Sequence, residues 1–435
     1  MTTAEPCAPV TSTAATPADV RWNAGALAVD MASFNVGMSF ISTTTVLPAL
    51  ITTLGGTEVL VGVASGIASG AWLLPQLLVA SFVARLPRKQ PFMVRTAWLT
   101  RPIMLVLALI ILFFGETRPG VVLATIIAGT GLFFVFDAMV SVPWFDLIAR
   151  TVPATRRGRV LGSAQVVGGI GGILAGVAVR AILAEGSALP FPSNYALLYA
   201  CATCMMLASA LALTLIREPA SDAPTKEVLP LRRILAQLPG IIANDGPFRW
   251  VIIVRVLAGF VGMASAFYVL NATRNAGLSV EAAGYFVSAQ VAGSLAGGLL
   301  TTMLQDRWGP LVHIRAIIGV SALAPAMALL CQPLLADLGP SVLYPYLLVY
   351  FTLGIYMGSI SWPYFNWILE YAEEARRPLY IGMANTFGAI TMVTPALGGW
   401  VARDISYTAV FAVALTFALT SLALSRWIPS TRRRG

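Results

Sequence analysis

Charged residues are scarce in this 435-residue sequence: only 11% are Asp, Glu, Lys or Arg, whereas a soluble domain carries about 25%. Apolar residues make up 57% of the chain, and its mean hydropathy is +0.80. A large soluble enzyme of this composition would have too few polar side chains to cover its core, so that class of protein is excluded. Long uncharged runs recur along the whole chain and predict a protein that crosses a membrane many times.

Residues that commonly bind metals or act as nucleophiles are also few. His313 is the only histidine, and there are four cysteines. Cys201 and Cys204 have the spacing of a redox or metal-binding pair, but they lie inside an apolar run, where we expect small packing side chains. The sequence contains no phosphate-binding glycine loop and no nucleophile constellation. It therefore predicts no enzyme, no cofactor and no metal site.

A helix needs about 20 apolar residues to cross the hydrocarbon core of a bilayer. Twelve stretches meet this requirement, at 24–50, 58–83, 96–114, 120–148, 160–183, 195–216, 249–271, 281–304, 313–335, 341–370, 379–402 and 406–427. We predict an all-α polytopic membrane protein with twelve transmembrane helices.

The charged segments divide this chain into two halves. Residues 24–216 and 249–427 form the predicted N-terminal and C-terminal six-helix bundles, and residues 217–248 form a cytoplasmic linker. Within the linker, residues 229–242 have the composition of a short amphipathic helix on the membrane surface. We expect residues 1–23 to be a disordered cytoplasmic tail and residues 428–435 to be a basic cytoplasmic tail.

Basic residues report the orientation. If the N-terminus is cytoplasmic, 22 of the 28 lysines and arginines fall in cytoplasmic segments. The positive-inside rule therefore places both termini in the cytoplasm, in a plasma (inner) membrane protein. The net charge of +9 is then explained by the basic residues of the cytoplasmic segments and does not indicate a surface that binds nucleic acid. The partners that we expect are the lipid bilayer and a small molecule, and we expect a monomer.

The two halves share an internal repeat. Segment 142–148 reads VPWFDLI and segment 362–368 reads WPYFNWI, an offset of 220 residues. The same offset relates Arg156-Arg157 to Arg376-Arg377 without a gap. Parallel repeats of this kind, related by an axis along the membrane normal, occur in secondary transporters.

The loops after the second and eighth helices carry a family resemblance. Asp306-Arg307-Trp308-Gly309 is similar to the D-R-x-G core of a loop signature of the major facilitator superfamily. The first copy, residues 84–89, keeps its basic residues but has Ala in place of Asp and Pro in place of Gly. With six plus six helices and a charged central loop, the chain resembles this superfamily over residues 24–427. The resemblance implies two pseudo-symmetric bundles that move a substrate by alternating access.

Charged residues inside the helices indicate the candidate site, because each costs about 2.5–3.5 kcal/mol at the centre of a helix on insertion scales. Asp30 and Arg255 lie at similar depths on the first and seventh helices, which border the central cavity in the family that the chain resembles. Two interpretations remain open: Asp30 is a proton or substrate site, or the two residues form a static buried ion pair.

Asp137 lies nearer to the middle of the membrane, in apolar surroundings that disfavour a charged carboxylate. It is either a proton carrier or the partner of Arg101 on the neighbouring helix. Trp72 and Trp362 lie deep enough to line the cavity or to pack in the core, and Asn35 belongs to a thin set of polar groups in the helices. So few hydrogen-bonding groups favour an amphipathic or apolar substrate over a sugar.

A second set of charged residues lies at the cytoplasmic ends of the predicted transmembrane helices. The resemblance implies that Asp146 pairs with Arg85 and Arg88 and latches the cytoplasmic face shut in the outward-open state. Asn366 replaces the acidic residue in the second half, where we expect a weaker latch. Alternatively, the second latch would use Asp306 with Arg376 or Arg377, and Arg307 completes this set of gate candidates.

Two functions fit these patterns. The first is a secondary active transporter that exports a small amphipathic or apolar compound in a proton-coupled manner. The second is a non-transporting protein of the same fold that serves as a membrane assembly factor or as a scaffold for pigment or lipid. A ligand whose binding depends on pH would favour the first function.

Overall fold

The computed structural model describes residues 16–83, 85–218, 240–334, 339–373 and 376–432, and most of these are helical. By length and composition alone, nine helices in the described part of the chain could cross a membrane. Three further helical segments, the first, second and eleventh, are interrupted by breaks, and they complete six segments in each half. The all-α fold predicted from the sequence is thus confirmed.

The N-terminal half contains segments α1 to α6. Their bounds are Pro17–Phe40 and Val46–Thr53 for α1, Glu58–Leu73 and Gln76–Val83 for α2, Gln90–Thr100 and Ile103–Phe114 for α3, Pro119–Thr151 for α4, Ala154–Leu183 for α5, and Ser193–Thr214 for α6.

The C-terminal half contains segments α7 to α12. Their bounds are Gly246–Phe260 and Phe267–Arg274 for α7, Ala282–Trp308 for α8, Pro310–Cys331 for α9, Leu343–Ser359 and Ser361–Tyr371 for α10, Arg377–Gly388 and Thr394–Asp404 for α11, and Tyr407–Leu424 for α12. Short 3₁₀ turns, Val261–Ala264 and Ala389–Val393, join the two pieces of α7 and of α11.

The first helix differs from its predicted bounds. It begins at Pro17 and not at residue 24, because the Thr16 side chain accepts a hydrogen bond from the Asp19 amide and a proline occupies the first turn. It also breaks at residues 41–45, where hydroxyl side chains compete with the backbone for hydrogen bonds. Of the predicted surface helix at 229–242, residues 240–242 are helical, and the rest lies outside the described residues.

The repeat is visible in the backbone. Helix α4 ends at Thr151 and α10 ends at Tyr371, which is the same offset of 220 residues that relates the two sequence segments. After each end, the next helix supplies an arginine that folds back. The Nε of Arg157 donates to the Val152 carbonyl at 2.8 Å, and the Nε of Arg377 donates to the Ala372 carbonyl at 3.2 Å.

The two halves meet closely at the membrane face opposite the termini, along α5 with α8 and along α2 with α11. Small residues permit this approach: a Cβ atom on Gly62 of α2 would collide with the carbonyl of Pro395. Glu58 forms an ion pair with Arg274 across the same boundary. At the opposite end, each ion pair among the described residues joins groups of one half. The structure is therefore closed at one face and held by contacts within each half at the face that carries the termini.

We expect Gly62→Ala to loosen the closed face, because overpacking a tight contact costs about 1–3 kcal/mol. A cysteine placed at Thr43, beside the half-to-half boundary, in a background without native cysteines, should react with an impermeant maleimide about fivefold faster or more. Gly25→Ala is the matched control, since a Cβ there meets nothing within 4 Å. Equal labelling in the two variants would contradict the assignment of this face as the closed one.

Candidate functional site

A cavity of about 300 Å³ opens in the N-terminal half, between α1, α2, α3 and α4. This volume is at the lower end of the range for small-molecule sites, about 300–1,000 Å³. Aromatic and apolar side chains form most of its wall. The lining residues are Asp30, Met31, Phe34, Trp72, Arg101, Phe134, Asp137, Val140, Ser141, Trp144 and Phe145.

Asp30 projects from α1 and is held by two neutral donors. The indole Nε1 of Trp144 on α4 donates to its Oδ2 at 2.7 Å, and the hydroxyl of Ser209 on α6 donates to its Oδ1 at 2.6 Å. Only 5% of Asp30 is exposed. Among the described residues, no lysine or arginine forms an ion pair with it, so this carboxylate is fixed in place without being neutralised.

Asp137 has a cationic partner. The NH1 group of Arg101 on α3 donates to the Asp137 Oδ1 at 2.7 Å, and both residues are buried. The guanidinium also lies 4.7 Å from the ring centre of Phe34. This is the arginine partner that the sequence offered as one of two interpretations of Asp137.

Taken together, Asp30, Arg101 and Asp137 carry two negative charges and one positive charge when all three are ionised. These are the ionisable side chains of the cavity wall. Since the Arg101–Asp137 pair is neutral as a unit, the remaining negative charge resides on Asp30. One bound cation or one proton would therefore balance the cavity.

Arg255 lies apart from Asp30, and the static ion pair weighed above is not formed in this structure. Its NH2 group donates to the Asn385 Oδ1 at 3.1 Å, and its guanidinium lies 5.8 Å from the ring centre of Tyr364. The physical reason is that α7 presents Arg255 to α10 and α11 of its own half.

A second cavity of about 290 Å³ lies between the halves. Asn35 lines it, next to a hydrogen bond of 2.7 Å from the Thr44 hydroxyl to the Gln290 amide oxygen across the boundary. Trp72 lines the first cavity instead. Trp362 is 52% exposed and lies outside the residues that line both.

The charged cluster at the termini face of the N-terminal half differs from the predicted latch. Asp146 pairs with the Lys89 Nζ at 2.6 Å and with the Arg150 Nε at 2.7 Å. Arg85 and Arg88 are exposed and are not its partners in this conformation. The reason is that Lys89 directly precedes α3 and its side chain points into the protein. Only 7% of this residue is exposed.

The second half also uses other residues than predicted. Arg376 pairs with Glu373 at 4.0 Å, whereas Arg377 binds a backbone carbonyl, so neither forms an ion pair with Asp306. The guanidinium of Arg307 lies 5.0 Å from the Trp308 ring centre.

A second ion pair at the termini face of that half joins helix α10 to the C-terminal tail. The Glu370 Oε1 accepts from Arg432 NH2 at 2.8 Å and from Arg432 Nε at 3.1 Å, and the Thr431 hydroxyl donates to the Glu370 Oε2 at 2.5 Å. Arg432 also donates from NH1 to the Asp306 carbonyl, at 3.3 Å, so the tail reaches the last turn of α8.

An equivalent contact with reversed charges is found at the termini face of the N-terminal half. Glu218, which follows α6, accepts hydrogen bonds from the Lys89 and Gln90 amides and lies 3.9 Å from Arg150 NH1. Arg150 and Glu370 occupy the same repeat position, at an offset of 220. Each half thus has a terminal clasp, in which a residue beyond the sixth helix binds the end of the fourth helix. Glu218 also binds the amides that precede α3, and Arg432 also binds the last turn of α8.

If the clasp of the C-terminal half is electrostatic, Glu370→Arg should release the tail and the double variant Glu370→Arg with Arg432→Glu should restore it. A cysteine at Ile428, which is 2% exposed, reports release by its labelling rate. Partly exposed pairs are worth about 0.2–1 kcal/mol, so we expect up to about a fivefold faster rate in the single variant. A double variant that labels as fast as the single one would show that charge does not hold the tail.

Sequence reasoning overlooked the partners that fix the site: Trp144 and Ser209 for Asp30, and Lys89 and Glu218 for the gate. Trp144 had a detectable signal, because it lies in the repeated segment at the position equivalent to Tyr364. Ser209 had none, since a serine in an apolar helix is common.

The chain is similar to a known protein family and to several solved structures. A family model described as Major Facilitator Superfamily matches residues 135–393. No curated protein matches the sequence. The structure of a D-xylose–proton symporter is similar at a TM-score of 0.68 and 13% identity, covering 94% of this chain and 98% of that one.

Two structures of a bacterial homologue of the iron transporter ferroportin are also similar. The inward-facing state gives a TM-score of 0.66 at 12% identity and covers 94% of this chain and 99% of that one. The outward-facing state gives 0.59 at 12% identity and covers 93% and 98%. At these identities the likeness establishes the fold.

Proposed function

Because this chain belongs to the major facilitator superfamily and is a secondary transporter, we propose that it exports a small amphipathic compound with a protonated amine in exchange for protons. The observation that carries the proposal is the single unneutralised carboxylate, Asp30, in an aromatic cavity. Proton and amine would compete for this one group.

The charge of the cavity supports a cationic substrate. With Arg101 and Asp137 paired at 2.7 Å, Asp30 supplies the net negative charge of the wall. A carboxylate in a low-dielectric site is costly without a counter-charge. Either a proton or an ammonium group relieves that cost, but one carboxylate does not need both. Mutual exclusion of this kind couples the two movements in opposite directions.

The wall of the cavity suits the rest of such a molecule. Phe34, Trp72, Phe134 and Trp144 surround Asp30 with aromatic surface. Aromatic faces attract organic cations by about 0.5–2 kcal/mol each and bury apolar groups at the same time. A sugar would require a larger number of hydrogen-bonding groups than these side chains provide.

The conformation supports loading from the side of the termini. The opposite face is closed by the Glu58–Arg274 pair and by α2 against α11. The excess of basic residues at the termini face favours its placement in the cytoplasm of a plasma-membrane protein. The cavity would then receive its substrate from the cytoplasm, as export requires.

We expect 2-phenylethylamine, an aromatic amine, to raise the melting temperature of the purified protein, because a ligand that binds the folded state stabilises it by mass action. If protons compete for Asp30, the apparent affinity should fall about tenfold per pH unit under acidic conditions, where the protonated form dominates. Asp30→Asn should remove both the stabilisation and its pH dependence.

Asp19→Asn is the matched control, because Asp19 lies in the first turn of the same helix and pairs with Arg217 outside the cavity. It should bind the amine as the unmodified protein does. Stabilisation by 2-phenylethylamine that persists unchanged in Asp30→Asn would contradict the proposed site. Lack of stabilisation by any aromatic amine at any pH would instead reject a protonated amine as the substrate.

A further inference from the structure

Arg255 is a membrane-embedded cation with little to balance it. It lies on α7 and is partly buried, and the described residues give it one hydrogen bond to a side chain, the neutral Asn385 amide. Within the described part of the chain, no carboxylate pairs with it. A guanidinium has five N–H donors, and an uncompensated charge costs about 2.5–3.5 kcal/mol at the centre of a spanning helix. The described surroundings of Arg255 therefore provide fewer acceptors and less negative charge than its guanidinium can bind.

The neighbouring Tyr364 has an unused donor as well. Only 1% of this residue is exposed, and its hydroxyl has no hydrogen-bond partner among the described residues. Leaving a buried hydroxyl unpaired costs about 1–3 kcal/mol. Its ring centre is 5.8 Å from the Arg255 guanidinium. Two adjacent groups with free donors point to a missing acceptor.

The repeat places this pair opposite the proposed amine site. Tyr364 and Trp144 occupy equivalent positions, at the offset of 220. Trp144 lines the cavity and binds Asp30 of the first helix of its half, whereas Tyr364 contacts Arg255 of the first helix of the other half. The first helix of each half thus carries one charge near an aromatic residue of the fourth helix, and the two charges have opposite sign. Part of Arg255 is exposed, and a guanidinium facing lipid would be unfavourable.

We propose that Arg255, Tyr364 and Asn385 form an anion subsite that binds a carboxylate of the transported molecule. An arginine fork matches a carboxylate in a bidentate geometry, and a tyrosine hydroxyl can donate to the same group. Together with the proposed function, on which this part rests, the substrate is an amphipathic zwitterion. Its amine binds Asp30, its carboxylate binds Arg255, and its apolar body contacts the aromatic wall.

The consequence for transport is that the substrate bridges the halves. With the zwitterion bound, both Asp30 and Arg255 are neutralised by the same molecule. An amine that lacks the carboxylate would reach only the N-terminal half and leave Arg255 unbalanced. The anion subsite would therefore set specificity, while Asp30 would set the coupling to protons.

Three probes with one aromatic ring separate these contributions: 3-phenylpropionate carries only the carboxylate, 2-phenylethylamine carries only the amine, and phenylalanine carries both. Thermal stabilisation by each is measured in the unmodified protein and in variants. We expect 3-phenylpropionate to stabilise the unmodified protein and Asp30→Asn, but not Arg255→Gln. Tyr364→Phe, which changes a single oxygen, should weaken its binding about fivefold or more, the effect of one hydrogen bond.

Arg180→Gln is the matched control, because Arg180 also stacks on a tyrosine ring, that of Tyr285 at 4.8 Å, but lies exposed on α5. If Arg255→Gln does not fold, Tyr364→Phe and Arg255→Lys carry the test. The inference is overturned if 3-phenylpropionate fails to stabilise the unmodified protein, or stabilises Arg255→Gln and Tyr364→Phe equally well. The latter results would leave Arg255 as a structural cation.

The outcomes also separate the two proposals. Binding of 3-phenylpropionate without binding of 2-phenylethylamine would keep the anion subsite and reject the amine site. Binding of 2-phenylethylamine alone would keep the proposed function and reject the anion subsite. Both proposals together require phenylalanine to bind more tightly than either single-charge probe.

Discussion

The cost of an uncompensated charge in the membrane is the constraint on which this structure depends. Among the charged residues within the spanning helices, Arg101 and Asp137 satisfy it by pairing with each other at 2.7 Å. Asp30 and Arg255 do not: the first is held by neutral donors and the second by a neutral amide. A protein retains such groups at a cost of several kcal/mol when a transported species balances them. In the proposed transport cycle, the unpaired charges of Asp30 and Arg255 mark the path of the substrate.

The internal repeat gives each half of the protein a similar arrangement of charged and aromatic residues. The first helix of each half carries one unpaired charge beside an aromatic residue of the fourth helix, and the two charges have opposite sign. At the termini face, the clasps show the same reversal, with Arg150 and Glu370 at one repeat position bound by Glu218 and Arg432. At Arg150 and Glu370, equivalent positions of the repeat thus carry opposite charges, and each is met by an opposite charge from its own half.

Much of this architecture could be predicted from the sequence. Long apolar runs and the offset of 220 residues indicated twelve helices in two related halves, because hydropathy and repetition are local properties of the chain. The breaks in α1 and α11 were not predicted. In α1, hydroxyl side chains at residues 42–45 compete with the backbone for hydrogen bonds, and in α11 the turn Ala389–Val393 packs against α2 of the other half.

The candidate site could be predicted from the sequence only in part. Asp30, Arg101, Asp137 and Arg255 stood out as charges in apolar helices, but their partners depend on how helices pack. The pairing of Asp146 with Lys89 in place of Arg85 or Arg88 is an example: it is decided by the direction in which the chain enters α3, which no residue pattern specifies.

The central claim is that one carboxylate serves proton and substrate in turn. The most direct test is to count protons released when 2-phenylethylamine binds to the purified protein in weakly buffered, mildly acidic solution with a pH indicator. The account predicts release of about one proton per bound amine, decreasing at alkaline pH where Asp30 is already ionised, because a single carboxylate exchanges one cation for the other. Binding with no proton release at any pH would contradict it and would show that the amine and the proton do not share a site.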